Sequence, residues 1–133
     1  MTANPQPGYR PSEAEEFMNP QQVAYFRQKL LTLRAAMVHE LEQNPAAGPD
    51  DSIRIGDQAD QASAEFDRET AAINRDRTLV LLGHVDHALA RIAGGTYGYC
   101  EETGEPIGLN RLEAQPTATL SIAAQERREK SRG

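Results

Sequence analysis

Two groups of residues have types and spacing that could do chemistry. The first is Asp57-Gln58-Ala59-Asp60-Gln61-Ala62. Two carboxylates three residues apart can face basic groups of a partner, and the small Ala62 allows close approach. The same pair also suits a helix start, with one Asp as cap and the other in the first turn, where the dipole favours negative charge. The second group is Tyr97-Gly98-Tyr99-Cys100-Glu101-Glu102-Thr103-Gly104, repeated in spacing by Ser121-Ile122-Ala123-Ala124. Thiolates at positions 100, 103, 121 and 124 would make a four-cysteine zinc knuckle, with Gly104 completing the first tight turn. Only Cys100 can supply one. Thr and Ser hydroxyls are not usual zinc ligands and Ala124 has no donor, so a knuckle that folds without metal is expected. Ile107, Leu109, Leu112, Leu120 and Ile122 should anchor it in place of the metal. Cys100 is expected to be an ordinary half-buried thiol.

Other chemistry is poorly supported. The chain contains no HExxH, nucleophile elbow or phosphate loop. His84 and His87 share a helix face but lack a carboxylate-rich partner motif, and His39 is remote in sequence; solvated histidines are expected. A free-standing metal or redox enzyme is therefore not expected.

The elements that must position these residues are helical. Asn19-Pro20-Gln21-Gln22 is a helix start: Asn19 can cap, Pro20 takes the first helical position and Gln22 stands where a capping box wants Glu or Gln. Val23, Phe26, Leu30, Leu33, Met37 and Leu41 then recur at steps of three and four, a narrow stripe that suits one partner helix. Pro45 and Gly48-Pro49 end this helix, and residues 45–56 form the irregular connection, anchored by Ile53 and Ile55.

A second helix is expected from between Asp57 and Asp60 to about Ala93, with a looser stripe of Phe66, Thr70, Ile73, Val80, Leu81, Val85, Ala88, Leu89 and Ile92. Leu79 to Leu82 is apolar all round, which predicts that the base or the N-terminal arm covers it. Gly94-Gly95 supplies the stop. Pro5, Pro7, Gly8 and Pro11 make residues 1–17 an extended or irregular arm that Tyr9 and Phe17 could hold to the helices. Leu120 to Glu129 reads as a terminal helix. The fold class is thus mainly α: an antiparallel two-helix coiled-coil hairpin over 18–93 with its tip near 56–62, and a small globular base over 94–133.

Composition agrees with a narrow seam. Of 133 residues, 38% are hydrophobic and 5% aromatic, with no Trp, and the net charge is −6. That charge argues against sequence-specific DNA binding through a broad basic face. One Cys precludes an intrachain disulfide framework. No apolar run is long enough to span a bilayer and no signal sequence opens the chain, so a cytoplasmic location is expected.

Gly98 to Leu120, with its Gly-Tyr-Cys-Glu and Arg-Leu-Glu-Ala-Gln-Pro-Thr-Ala segments, resembles the zinc-finger segment of the DksA/TraR family of bacterial transcription factors. Met18-Asn19 with the Phe26-Arg27 stripe, the Asp57-to-Ala62 stretch and Asn74-Arg75-Asp76-Arg77 resemble its coiled coil in the same order. The resemblance runs from about residue 9 to the end. It implies a protein that binds RNA polymerase rather than DNA, entering the secondary channel so that the tip reaches towards the catalytic centre and its Mg²⁺. It assigns Asp60 and Ala62 as effectors, Asp57 as support, and Asn74 and Arg77 as contacts along the second arm. It also implies a link to ppGpp and the stringent response. The aligned ppGpp-proximal positions are His84, Gln115 and Gln125, less basic than Lys or Arg, with Arg111 as a substitute.

Two further readings share the architecture. A Gre-like transcript-cleavage or anti-Gre factor would carry the same acidic tip but a β-rich C-terminal domain. A homo-oligomeric coiled coil would leave its seam unsatisfied within one chain, whereas a hairpin closes its own seam and is expected to be a monomer.

Overall fold

The computed structural model describes residues 8–44 and 58–132. The expectations for residues 45–56 and for Asp57 fall outside them. Among the described residues four helices follow in order: α1 Pro20–Gln43, α2 Gln58–Gly94, α3 Leu109–Ala114 and α4 Ile122–Arg132. Among the described residues, β pairing is limited to an isolated antiparallel bridge between Tyr99 and Pro106. The chain divides into two compact units, one of residues 1–34 with 84–133 and one of residues 35–83.

In the unit of 35–83, parts of α1 and α2 run antiparallel. Thr78 Oγ1 donates to Glu40 Oε1 at 3.4 Å, and Arg75 Nη1 donates to the carbonyls of Leu41 and Asn44, each at 3.2 Å. Residue numbers fall on α2 as they rise on α1. In the unit of 1–34 and 84–133, Arg34 Nε meets Asp86 Oδ1 at 2.7 Å, and Phe26, Leu30, Val85 and Ala88 are buried. Within each unit the two helices pair as the hairpin expected from the sequence requires.

All six stripe residues of α1 are buried or half-buried. The stripe of α2 differs from expectation. Its covered positions include Arg68, Ala71, Arg75, Thr78, Leu82, Val85, Leu89 and Ile92, at alternating steps of three and four, with Ala88 and Arg91 alongside; of these Val85, Ala88, Leu89 and Ile92 are as expected. That is the 3.5-residue period of a coiled-coil seam. Phe66, Thr70, Ile73 and Val80 instead lie exposed, as do Leu79 and Leu81, so within the Leu79–Leu82 run only Leu82 is covered, against the expectation of cover all round. The seam was obscured because polar Arg75 and Thr78 occupy it while larger apolar residues stand outside.

Both helix ends follow from local chemistry. Asn19 Oδ1 accepts the Gln22 N–H at 2.9 Å. Gln22, fully buried, does not close a regular capping box. Its Oε1 accepts the Met18 N–H at 2.8 Å and its Nε2 donates to the Ser12 carbonyl at 3.2 Å, fixing the arm to the helix start. At the other end Gly95 takes φ 82°, Thr96 N–H reaches Arg91 O at 2.9 Å and Gly95 N–H reaches Ile92 O at 3.2 Å. This is the paired closure that a left-handed residue permits after a helix.

The base is built on aromatic edges. Tyr9 stands edge-on to Tyr25 at 6.3 Å and Phe17 to Tyr99 at 5.5 Å, so residues 8–17 pack on α1 through Tyr9 and on the base through Phe17. Phe26 lies 5.9 Å from Tyr97, whose hydroxyl donates to Pro116 O at 2.8 Å. Burial holds that hydroxyl well above the usual phenol range. Ile107, Leu109 and Leu112 are buried as expected. Ile122 is exposed against expectation, whereas Ala118 and Ala124 are buried.

Candidate functional site

The knuckle brings its four positions into one small structure. Cys100 N–H donates to Glu105 O at 2.7 Å and Gly104 N–H to Cys100 O at 2.8 Å, closing the turn. Glu101 N–H reaches Thr119 O at 2.8 Å, which ties this turn to the segment before α4. Gly98 permits the approach of the arm: with φ 94°, an added Cβ would stand 2.7 Å from Met18 Sδ.

The side chains at the four positions are already engaged. Thr103 Oγ1 accepts the Glu105 N–H at 3.2 Å. Ser121 precedes α4 and accepts the Ala124 N–H on its Oγ at 3.2 Å, so it serves as a helix cap. Ala124 is fully buried and contributes a methyl group. Cys100 is buried rather than half-buried. Burial pushes its thiol up, but hydrogen bonds from the Thr103 side chain and from the backbone of Ser121, Thr103 and Glu102 outweigh this and bring it down to about 6. This donor set of one sulfur, two occupied hydroxyls and a methyl does not fit zinc. Among the described residues, no group of three or more His, Cys, Asp or Glu could hold a metal ion.

The polar positions His84, Arg111, Gln115 and Gln125 line one cavity of about 150 Å³, with Thr117, Ala118, Thr119 and Leu120. Arg111 Nε donates to Leu120 O at 2.9 Å and its Nη2 bonds Gln125 Oε1. Arg111 is thus held by two residues that themselves line the cavity. His87 pairs with Glu101, which also lies 3.6 Å from Arg91 Nε. His87 therefore has a carboxylate partner that its own helix did not reveal.

On the second arm, Asn74 and Arg77 are exposed on α2, three residues apart. Ala62 is exposed as well, and Asp60 is the third residue of the helix. The sequence reading missed two residues that organise these elements. Arg75 holds the last carbonyls of α1, and its position in the three-four register with Thr78 and Leu82 was the available signal. Lys29 Nζ contacts Glu113 Oε2 at 2.7 Å and Glu113 O at 2.9 Å, while Tyr25 donates to the same carboxylate at 3.1 Å. Burial raises the Glu113 carboxyl, but these partners win and hold it below the usual range.

An antiparallel helical pair joined to a knuckle with four-ligand spacing defines a class: hairpin proteins with a zinc-finger-type base. The model of the prokaryotic dksA/traR C4-type zinc finger matches residues 95–130, and that of the N-terminal domain of the DnaK suppressor protein DksA matches residues 22–92. The chain belongs to the DksA/TraR family. It is 50% identical over 122 residues to the RNA polymerase-binding transcription factor DksA of Caulobacter vibrioides, covering 92% of this chain and 86% of that one. It is 34% identical to the protein of the same name from Escherichia coli strain K12, over 86% of this chain and 76% of the relative. Among solved structures, transcription factor DksA2 from Pseudomonas aeruginosa superposes with a TM-score of 0.73 at 42% identity, over 92% of this chain and 93% of that one.

Proposed function

We infer that this chain is a non-enzymatic transcription regulator that binds RNA polymerase through the secondary channel and modulates initiation at selected promoters, among them ribosomal RNA and amino-acid genes. The observation that carries this reading is the match of both family segments, in order, to a chain whose curated relatives are named for polymerase binding. A two-helix hairpin is stiff and narrow, as a channel-entering element must be. Residues 1–17 act as an arm, 18–93 as the hairpin and 94–133 as the base. The protein works as a cytoplasmic monomer.

In this reading Asp60 and Ala62 are the effectors, supported by Asp57, while Asn74 and Arg77 contact the channel. Zinc has no role, since the knuckle closes through the Cys100, Thr103 and Ser121 hydrogen bonds. The cavity of His84, Arg111, Gln115 and Gln125 is the ppGpp-proximal surface. Its neutral amides and engaged Arg111 favour weak ppGpp synergy.

The test is transcription in vitro from a ribosomal promoter, with and without ppGpp, comparing wild type with Asp60→Asn. Asn retains much of the capping capacity of Asp, so melting should stay unchanged while regulation falls. Regulation that survives Asp60→Asn removes the effector assignment. Enhancement by ppGpp equal to that of a relative with basic residues at 84, 115 and 125 removes the weak-synergy reading.

A further inference from the structure

The polymerase reading leaves the segment before α1 without a role. Residues 12–18 touch two elements that lie far apart in sequence, the start of α1 and the first limb of the knuckle. On α1 the anchor is Gln22, which is fully buried. Its Oε1 accepts the Met18 N–H at 2.8 Å and its Nε2 donates to the Ser12 carbonyl at 3.2 Å. The segment thus satisfies both polar groups of a buried amide, and its departure would leave them without these partners. On the knuckle the contacts come from two adjacent side chains. Phe17 stands edge-on to Tyr99 at 5.5 Å. Met18 lies so close over Gly98 that a Cβ there would stand 2.7 Å from its Sδ.

Gly98, Tyr99 and Cys100 form that limb. Gly98 O accepts the Ile107 N–H at 2.8 Å, Tyr99 bridges Pro106, and Cys100 N–H reaches Glu105 O at 2.7 Å. Between the two anchors Met18 holds φ 54°, the only positive value at a non-glycine among the described residues. A side chain keeps such a conformation where its surroundings over-determine it. Here they are Gln22 on one side and Gly98 on the other. The rest of the segment is folded on itself: the Glu15 carboxylate accepts the Tyr9 hydroxyl and the Ser12 N–H, each at 3.0 Å. Ser12, Glu13, Ala14 and Glu16 are exposed, so the hold is concentrated at Gln22, Phe17 and Met18. The α3 side of the base is tied to α1 separately, through Lys29 and Glu113.

We propose that residues 12–18 are a strap, fastened by Gln22, whose release opens the first limb of the knuckle and uncovers Cys100 while α1 and α2 stay paired. A segment held by few contacts opens at a lower free energy than the whole fold. Gln22 acts through Met18 and is a positioning residue. The strap makes the shape of the base depend on residues that precede the hairpin. The inference goes beyond the polymerase reading and does not depend on it.

The chain supplies its own reporter. Cys100 is the only cysteine and is 3% exposed, so its alkylation by excess iodoacetamide follows opening of the limb. Full-length wild type, Gln22→Met, Phe17→Ala and Arg75→Met are compared at one mildly alkaline pH, in urea below the unfolding transition. Each rate is referred to that of the same chain fully unfolded. Gln22→Met and Phe17→Ala should label about tenfold faster or more, the effect of leaving buried partners unpaired or a packed ring removed. Their rates should change little with urea, because a local opening exposes little surface. Circular dichroism should show unchanged helix content. Arg75→Met, which loosens the hairpin away from the strap, should label at the wild-type rate. Should Gln22→Met fail to fold, Phe17→Ala decides, since Phe17 is only half-buried. A wild-type labelling rate in a folded strap variant overturns the proposal. So does faster labelling with the full urea dependence of global unfolding, or equal acceleration in Arg75→Met, because the limb then opens only with the whole chain.

Discussion

The Arg75 guanidinium donates from α2 to the Leu41 carbonyl in the last turn of α1, at 3.2 Å, and reaches the Asn44 carbonyl at the same distance. A helix end leaves its last carbonyls without intrahelical partners. Arg75 satisfies one of them, at Leu41, together with the Asn44 carbonyl just beyond α1, and places positive charge where the dipole is negative. Replacing Arg75 by Met keeps the stem and removes both bonds. The expected cost is about 1–3 kcal/mol, from the value of hydrogen bonds to a charged donor. Urea unfolding followed by circular dichroism measures it, and Arg75→Lys should recover part of the loss. A melting curve for Arg75→Met that overlays wild type contradicts this role.

Cys100 makes the base pH-sensitive in a defined direction. Its folded-state value, about 6, lies below the ordinary 9.0, so the thiolate is the form that stabilises the fold. The contribution is complete above the unfolded-state value and is lost as pH falls through 6. Stability should therefore rise between pH 6 and 9 in wild type, and that component of the slope should vanish in Cys100→Ala. Denaturant midpoints at three pH values decide the matter.

Chelation should leave folding unaffected. Wild type treated with EDTA is expected to melt within about a degree of the untreated protein, because a donor set with one sulfur and no further usual ligand does not fit the zinc that supplies several kcal/mol in such sites. Thr103→Cys, Ser121→Cys and Ala124→Cys together recreate the four-thiolate spacing on a turn that is already formed. That variant should bind one zinc by elemental analysis and become chelator-sensitive. Stoichiometric zinc in the wild type is the contrary result.

Gly98 leaves no room for a side chain beside Phe17 and Met18. An alanine there would place its Cβ 2.7 Å from Met18 Sδ and 2.8 Å from Met18 Cγ, at a φ of 94° that side chains rarely adopt. Gly98→Ala should destabilise by about 1–3 kcal/mol. Gly83→Ala is the control: nothing lies within 4 Å of the added methyl, and α2 should gain about 0.5–1 kcal/mol from the better helix former. Thermal melts of the two variants should move in opposite directions.

Much of the scaffold was legible because its determinants are local. Pro20 beside Asn19 marks a helix start, Gly94-Gly95 marks a stop, and the three-four recurrence from Val23 to Leu41 marks a face, whatever the rest of the chain does. The spacing of Cys100, Thr103, Ser121 and Ala124 likewise announced a knuckle with a donor set poor in zinc ligands, since ligand chemistry belongs to side-chain type. The seam of α2 was not legible in the same way. Hydrophobicity singled out Phe66, Ile73 and Val80, but burial fell to Arg75, Thr78 and Leu82 because only the facing helix decides which side of a rod is covered. Nor could the sequence pair Lys29 with Glu113, His87 with Glu101, or Arg75 with the end of α1. Those partners are distant along the chain, and a polar side chain carries no mark of the group that will satisfy it until folding brings the two together.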